Sequence, residues 1–229
     1  MISSKSNTKN YCFLLIIATL LLATGCHRNS SSHQIESGDL LFVALPTDFD
    51  VEDTAGIAGA IAAATGNDGM LNFIHVAILE VSDDTSWVID ATLKHGVDRY
   101  PLDTMKEEFR LKNGDYPIFI VKRLKNNKCT QEWVKNAHKY IGRDYDLAFL
   151  PDNDEQYCSE LVWNSYLDSD GEHIFSTSPM NFKSADGSMP PYWTWLFEKI
   201  GMPIPQGVQG TNPNDMARDK NLAEVPVTL

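Results

Sequence analysis

The stretch QYCSELVW, residues 156–163, places a cysteine at the start of a helix. Cys158 precedes the apolar pair Leu161 and Val162, and Tyr166 continues the same side of the helix one turn later. The thiol therefore falls in the first turn, where unpaired N–H groups and the positive end of the helix dipole favour a thiolate. This position suits a nucleophile, provided that the fold brings a base to it.

His75 is the histidine best placed to be that base. It interrupts the apolar strand-like run FIHVAILEV at residues 73–81, where a buried imidazole needs hydrogen-bond partners. A histidine bonded within the core is the ordinary explanation of such a residue, but a cysteine at a helix start favours catalysis. The remaining histidines lie in polar segments or beside a lysine on a helix: His27, His33, His95, His138 and His173.

The pattern of elements predicts an α+β domain with an antiparallel sheet. Apolar, β-rich runs predict strands at residues 37–45, 73–81, 86–92 and 116–124. Helical spacing and end signals predict helices at residues 52–65, 130–141 and 190–201, besides the helix that begins near Cys158. The tail from about residue 168 is rich in Gly, Pro and Asn, and we expect it to wrap the core.

The N-terminus has the pattern of a secretory signal. Lysines precede a short apolar run, and ATGC at residues 23–26 follows it, as in the bacterial lipobox. We therefore expect a signal peptide at residues 1–25, lipid on Cys26, a tether at residues 26–36 and one domain at residues 37–229. A plain signal peptide or an anchor helix is the alternative.

The net charge and the cysteine content limit the kinds of partner and cofactor that we expect for this protein. The net charge is −12 and no basic run is present, which argues against nucleic acid. Membrane contact would come from the N-terminal lipid. A disulfide between Cys129 and Cys158 is possible if the protein resides in an oxidising compartment. No cysteine or histidine cluster has the spacing of a metal site, so we expect neither metal nor cofactor.

Six short motifs occur in an order that resembles a known family. They are GDLLF, HVAI, GRDYDLAF, YCSELVW, SPMNFK and IPQGVQGTNPNDMARD. They resemble the permuted papain-like hydrolases of the YiiX-like family, related to the NlpC-type cell-wall peptidases, over nearly all of residues 37–219. The resemblance implies a circularly permuted papain-like fold, an antiparallel sheet packed on helices, with the histidine strand before the cysteine helix. It also implies that Cys158 is the nucleophile and His75 the general base.

The resemblance also implies that an acidic residue, on the strand that follows the His75 strand, orients the imidazole. The run SWVIDAT at residues 86–92 offers Asp90, where the family usually has Glu. Side chains alternate along a strand, so Glu80, five residues after His75, is expected to point away. The residues expected on the face of His75 are Phe73, Ala77 and Leu79.

Three further residues are candidates for substrate binding or for the oxyanion hole. Tyr145 resembles the tyrosine of the family's GxxY segment, although it could equally pack between helix and sheet. Tyr157 and Glu160 flank Cys158 where the unpermuted peptidases have DCSG, which implies a different pocket. Glu160 could also be a capping or surface acid.

These residues together predict a lipid-anchored cysteine hydrolase of the bacterial cell envelope. It would cleave an amide bond of a peptide-like or N-acyl substrate through an acyl-enzyme. Two alternatives stay open. One is thiol acyl chemistry on lipid esters or N-acyl amines, as in relatives of lecithin-retinol acyltransferase. The other is a binding module that retains the scaffold without activity.

Overall fold

The computed structural model describes residues 34–47, 56–66, 69 and 71–229. The predicted signal peptide, Cys26 and most of the predicted tether lie outside these residues. No helix within the described part of the chain is long and apolar enough to cross a membrane.

The domain is built on one six-stranded sheet in which every neighbouring pair of strands is antiparallel. The strands are β1 (Leu40–Pro46), β2 (Leu71–Ser82), β3 (Thr85–Thr92), β4 (Gly96–Pro101), β5 (Ile118–Leu124) and β8 (Leu222–Val225). Their order across the sheet is β4-β3-β2-β1-β5-β8. Two short strands of the tail, β6 (Ser178–Pro179) and β7 (Gln209–Gly210), pair with each other. The predicted α+β class with an antiparallel sheet is confirmed.

Within the described residues, six helices lie around the sheet. They are α1 (Ile57–Thr65), α2 (Leu102–Glu108), α3 (Thr130–His138), α4 (Cys158–Ser165), α5 (Pro191–Ile200) and α6 (Pro213–Ala217). Helix α4 packs on both β2 and β3, and α6 packs on β2. Strand β2, which carries His75, precedes helix α4, which carries Cys158, so the chain order of the permuted fold is present.

The two faces of the sheet bury separate hydrophobic clusters. On the helix side, Phe42, Val76 and Ile78 pack with Leu161 and Val162 of α4. On the other face, the second cluster includes Ala77, Leu79 and Val88, with Tyr100 and Met105 from β4 and α2. A third, largely aromatic cluster forms between α1, α5 and the tail. Through Tyr157, this third cluster reaches the residue before Cys158.

Strand β2 contains a bulge just before His75. Val43 of β1 pairs with His75 and Ala44 pairs with Phe73, so Ile74 is an extra residue without a partner of its own. As a result, Phe73 packs in the helix-side cluster, while Ala77 and Leu79 pack on the opposite face. The expectation that all three residues share the face of His75 is wrong for Phe73, because simple alternation does not hold across a bulge.

Candidate active site

Cys158 is the first residue of α4, as its sequence position predicts. Tyr157 before it is extended, with φ −96° and ψ 167°, so the chain turns into the helix at the cysteine. The thiol is 3% exposed and free. Cys129 is also a free thiol, so the disulfide alternative is not formed in this structure.

His75 and Asp90 form a buried ion pair. His75 Nε2 lies 2.7 Å from Asp90 Oδ1, and the carboxylate is fully buried. Strands β2 and β3 pair only between Ile78/Ile89 and the hairpin, so both side chains project from stretches that are not paired with each other. The shorter Asp side chain therefore reaches the imidazole directly, without a bridging group.

The second oxygen of Asp90 is held by a residue that the sequence did not reveal. The Tyr100 hydroxyl donates to Asp90 Oδ2 at 2.9 Å. Burial, and then the charge of Asp90, raise the pKa of Tyr100 far above its usual range, so the phenol stays a donor. Tyr100 faces Val88 across the β3–β4 ladder, two residues from Asp90. The contact between Tyr100 and Asp90 could be predicted only if the pairing register of β3 and β4 were known.

The imidazole of His75 interacts with both Asp90 and the Cys158 thiol. Burial alone would lower the pKa of His75, but Asp90 and Cys158 outweigh it and raise the pKa to about 10. The ring of Phe109 lies against the imidazole, with 4.8 Å between centroids, and shields it from water. The arrangement favours a protonated imidazole beside the Cys158 sulfur at neutral pH.

The three other predicted site residues separate into two groups. Tyr145 and Tyr157 line a pocket beside Cys158. Burial, and then the nearby Cys158, hold the pKa of Tyr145 well above its usual range, so its hydroxyl is a proton donor at neutral pH. The Tyr157 hydroxyl instead accepts the Thr211 N–H at 3.1 Å, which ties the tail to the start of α4.

Glu160 does not line this pocket. Its carboxylate accepts the Tyr157 N–H at 3.3 Å, which is the capping role left open by the sequence. Burial, and then the charge of Asp146, raise the pKa of Glu160 to about 8.

Asn214 is a second residue that the sequence did not single out. Its side chain is fully buried in α6 and binds both backbone groups of Phe73, at the bulge of β2. Oδ1 accepts the Phe73 N–H and Nδ2 donates to the Phe73 carbonyl, each at 3.0 Å. Asn214 thereby fixes the backbone two residues from His75. Its only sequence signal is its place in the TNPND segment.

Within the described part of the chain, no group of three or more His, Cys, Asp or Glu side chains could hold a metal ion. The contacts described above bring Cys158, His75 and Asp90 together, and Tyr145 and Tyr157 lie beside Cys158. A thiol at a helix start, an imidazole and a buried acid define the class of papain-like cysteine hydrolases in a permuted chain order.

Comparison with known proteins identifies the family. Residues 34–226 match the family described as permuted papain-like amidase enzyme, YaeF/YiiX, C92, and the chain belongs to that family. It is 26% identical over 195 residues to the uncharacterized protein YiiX of Escherichia coli strain K12, covering 83% of this chain and 84% of that protein. A crystal structure of the metalloprotein YiiX from Escherichia coli O157:H7 shares the fold. Its TM-score is 0.62 at 24% identity, over 84% of this chain and 97% of that one.

Proposed function

We propose that this protein is a cysteine hydrolase that cleaves amide bonds through a Cys158-His75-Asp90 triad. The observation that supports it most is the buried His75–Asp90 pair, 2.7 Å apart, next to a thiol at the first residue of a helix. Membership of the amidase family supports the reaction class. Each part has a physical role: the helix start and imidazolium stabilise the thiolate, and the carboxylate stabilises the imidazolium.

The reaction proceeds in two steps. The Cys158 thiolate attacks the carbonyl carbon, a C–S bond forms, and the C–N bond then breaks as His75 gives its proton to the leaving amine. Water, deprotonated by His75, attacks the thioester, and the acid product leaves as the C–S bond breaks. No step needs a further reactant besides water.

Two donors are proposed to stabilise the oxyanion. The Cys158 N–H lies at the first position of α4, where a helix leaves its N–H groups without intrahelical partners. The Tyr145 hydroxyl lies beside the thiol and keeps its proton at neutral pH. Both could bind the negative oxygen of the tetrahedral intermediate.

The proposed location is the cell envelope, through a lipid on Cys26. The support is the signal-like N-terminus and its ATGC motif. Expression in a bacterium with labelled palmitate should give a labelled protein, and Cys26→Ala should abolish the label. Label that persists in Cys26→Ala would contradict lipidation at this residue.

The hydrolase proposal is tested by incubating the mature protein with N-acyl and peptidyl p-nitroanilides and with matched acyl esters. Release of p-nitroaniline by the wild type, and none by Cys158→Ala, is the expected result. Cleavage of esters alone would instead favour the acyl-ester alternative. Cys158 that forms no acyl adduct with any of these compounds would favour a binding module.

A further inference from the structure

Asp90 is a fully buried carboxylate that is bound on both of its oxygens. Oδ1 lies 2.7 Å from His75 Nε2, and Oδ2 accepts the Tyr100 hydroxyl at 2.9 Å. Among the described residues, Tyr100 is the one side chain that donates to Oδ2. A carboxylate turns easily about its last side-chain bond, so the contact with His75 alone would not fix its plane. The hydrogen bond from Tyr100 therefore decides how Oδ1 is presented to the imidazole.

The Tyr100 hydroxyl acts towards Asp90 as a donor that keeps its proton. Tyr100 is 7% exposed and lies on β4, diagonally across the β3–β4 ladder from Asp90. Burial, and then the charge of Asp90, raise the pKa of Tyr100 far above its usual range. An ionised carboxylate only accepts hydrogen bonds, so the phenol is its natural partner. Tyr100 thus stabilises the Asp90 anion without competing with His75 as a base.

Strand β4 is fixed along both of its edges, which places the Tyr100 hydroxyl before any substrate binds. One edge pairs with β3. At the other edge, the Val97 N–H donates to the Arg143 carbonyl and the Gly142 N–H donates to the Val97 carbonyl, both at 2.8 Å. Gly96 has φ +64°, and a Cβ at this position would collide with the Arg143 carbonyl oxygen. The start of β4 is therefore built for this close approach.

The ring of Tyr100 is held by the turn before β4 and by the end of α2. The His95 ring packs against the Tyr100 ring, with 4.8 Å between centroids. Glu108, the last residue of α2, lies with its Oε2 2.9 Å from His95 Nε2. The next residue, Phe109, is the one whose ring lies against the imidazole of His75. One continuous segment, residues 95–109, thus supports both members of the buried pair.

We propose that Tyr100 is a positioning residue of the site, whose hydroxyl holds the Asp90 carboxylate in the orientation that fixes the His75 imidazole. The proposal rests on the proposed hydrolase function and adds a fourth member to the Cys158-His75-Asp90 triad. Tyr100 does not line the pocket beside Cys158. Loss of its hydroxyl should therefore lower kcat and leave KM unchanged.

The first test compares two variants that each lose one buried tyrosine hydroxyl. Tyr100→Phe should lower kcat for N-acyl p-nitroanilides by about 30-fold, as expected for one hydrogen bond to a buried charged group. Tyr166→Phe is the matched control, because the Tyr166 hydroxyl is also buried but donates to the Gly38 carbonyl, at 3.0 Å. It should change kcat by no more than about twofold. Full activity in Tyr100→Phe, or equal losses in the two variants, would overturn the proposal.

The second test examines the site without amide turnover. Iodoacetamide alkylates the Cys158 sulfur, with a C–S bond formed and iodide released, and the rate at about pH 6 reports how well His75 keeps the thiol ionised. Tyr100→Phe should slow this labelling by about threefold or more, whereas Tyr166→Phe should not. Slower labelling in Tyr100→Phe of a protein that cleaves no amide would contradict the hydrolase and support the positioning role. Amide cleavage with both kcat and labelling unchanged in Tyr100→Phe would do the reverse.

A double-variant cycle shows whether Tyr100 acts through Asp90. In Asp90→Ala no carboxylate remains to be held, so adding Tyr100→Phe should change the labelling rate of Cys158 by less than about twofold. The double variant leaves no unpaired buried charge, so it also tests the proposal if Tyr100→Phe alone does not fold. A loss in the Asp90→Ala background as large as in the wild-type background would mean that Tyr100 acts independently of Asp90, and would overturn the assignment.

Discussion

Two groups of residues near Cys158 differ in composition and in origin. The first group, His75, Asp90 and Tyr100, is charged and hydrogen-bonded and comes from consecutive strands of the sheet. The second group is an uncharged wall that includes Phe149, Phe182 and Trp193. The comparison teaches that the sheet supplies the proposed chemistry, while α1, the segment before α4 and the tail shape the space beside the thiol. Changes in the first group should lower kcat for every substrate, and changes in the second should alter which substrate is preferred.

The largest effect is expected from the thiol and the imidazole. Cys158→Ala and His75→Ala should each lower kcat by about 10⁴-fold or more, and the double variant should be no worse, because the two groups act as a unit. Steady-state cleavage of an N-acyl p-nitroanilide measures this. Cys129→Ala, which removes the other free thiol of the described residues, should keep full activity. Losses that add in the double variant would mean that the two residues do not share one mechanism.

Removing the charge of Asp90 should have the next largest effect. Asp90→Asn should lower kcat by about 10²- to 10⁴-fold, because an amide can hold the wrong imidazole tautomer. The pKa of His75, raised to about 10, keeps the imidazolium as an acid at neutral pH, and activity falls as pH rises through that value. Without the Asp90 charge, this alkaline limb of the pH–rate profile should move to lower pH.

Glu80→Gln is the matched control for Asp90→Asn. Glu80 lies on the same strand as His75, but its carboxylate pairs with Arg99 and His138. Its removal should leave both kcat and the alkaline limb unchanged. An Asp90→Asn enzyme with full activity would exclude Asp90 from the site.

Tyr145→Phe is expected to cost about 10²-fold in kcat, as for the loss of one oxyanion donor. The effect on KM should be small, because the ring remains in the pocket wall. Tyr140→Phe serves as the control, since Tyr140 packs against Arg143 and does not line the pocket. A change in KM alone would instead make Tyr145 a binding residue.

Asn214→Ala should give the smallest effect of the series, about tenfold in kcat with KM unchanged, because it loosens the backbone that positions His75. It should also slow labelling of Cys158 by a chloromethyl ketone, which a merely destabilised but correctly assembled site would not show. Asn136→Ala removes a comparable side chain-to-backbone bond, to Ser165, away from the site. Equal effects of the two substitutions would contradict a positioning role for Asn214.

Local patterns were sufficient to predict the parts of the site that depend on one element. Helix phase placed Cys158 in a first turn, and the interrupted apolar run singled out His75. The prediction that Phe73 lies on the same face of the sheet as His75 was wrong, because the periodicity of residues does not show where a bulge occurs. The elements β4, α2, α6 and β8 were not predicted either, since most are short and their periodicity is weak.

The residues that were missed depend on contacts between distant segments. Asn214 binds Phe73 across 141 residues of chain, and Thr211 contacts Tyr157 across 54. No window of sequence records such pairings. The walls of the apolar pocket beside Cys158 come from α1, the segment before α4 and the tail together, so no single window of sequence defines it.

The central claim, that His75 keeps Cys158 as a reactive thiolate, is tested most directly by comparing the two thiols that are free within the described residues. Cys158 and Cys129 are alkylated with iodoacetamide at about pH 6, where an ordinary thiol is protonated, and the modified peptides are quantified by mass spectrometry. We predict that Cys158 reacts faster than Cys129 although it is more buried, and that His75→Ala removes this advantage. Faster reaction of Cys129, or an unchanged rate at Cys158 in His75→Ala, would contradict the account.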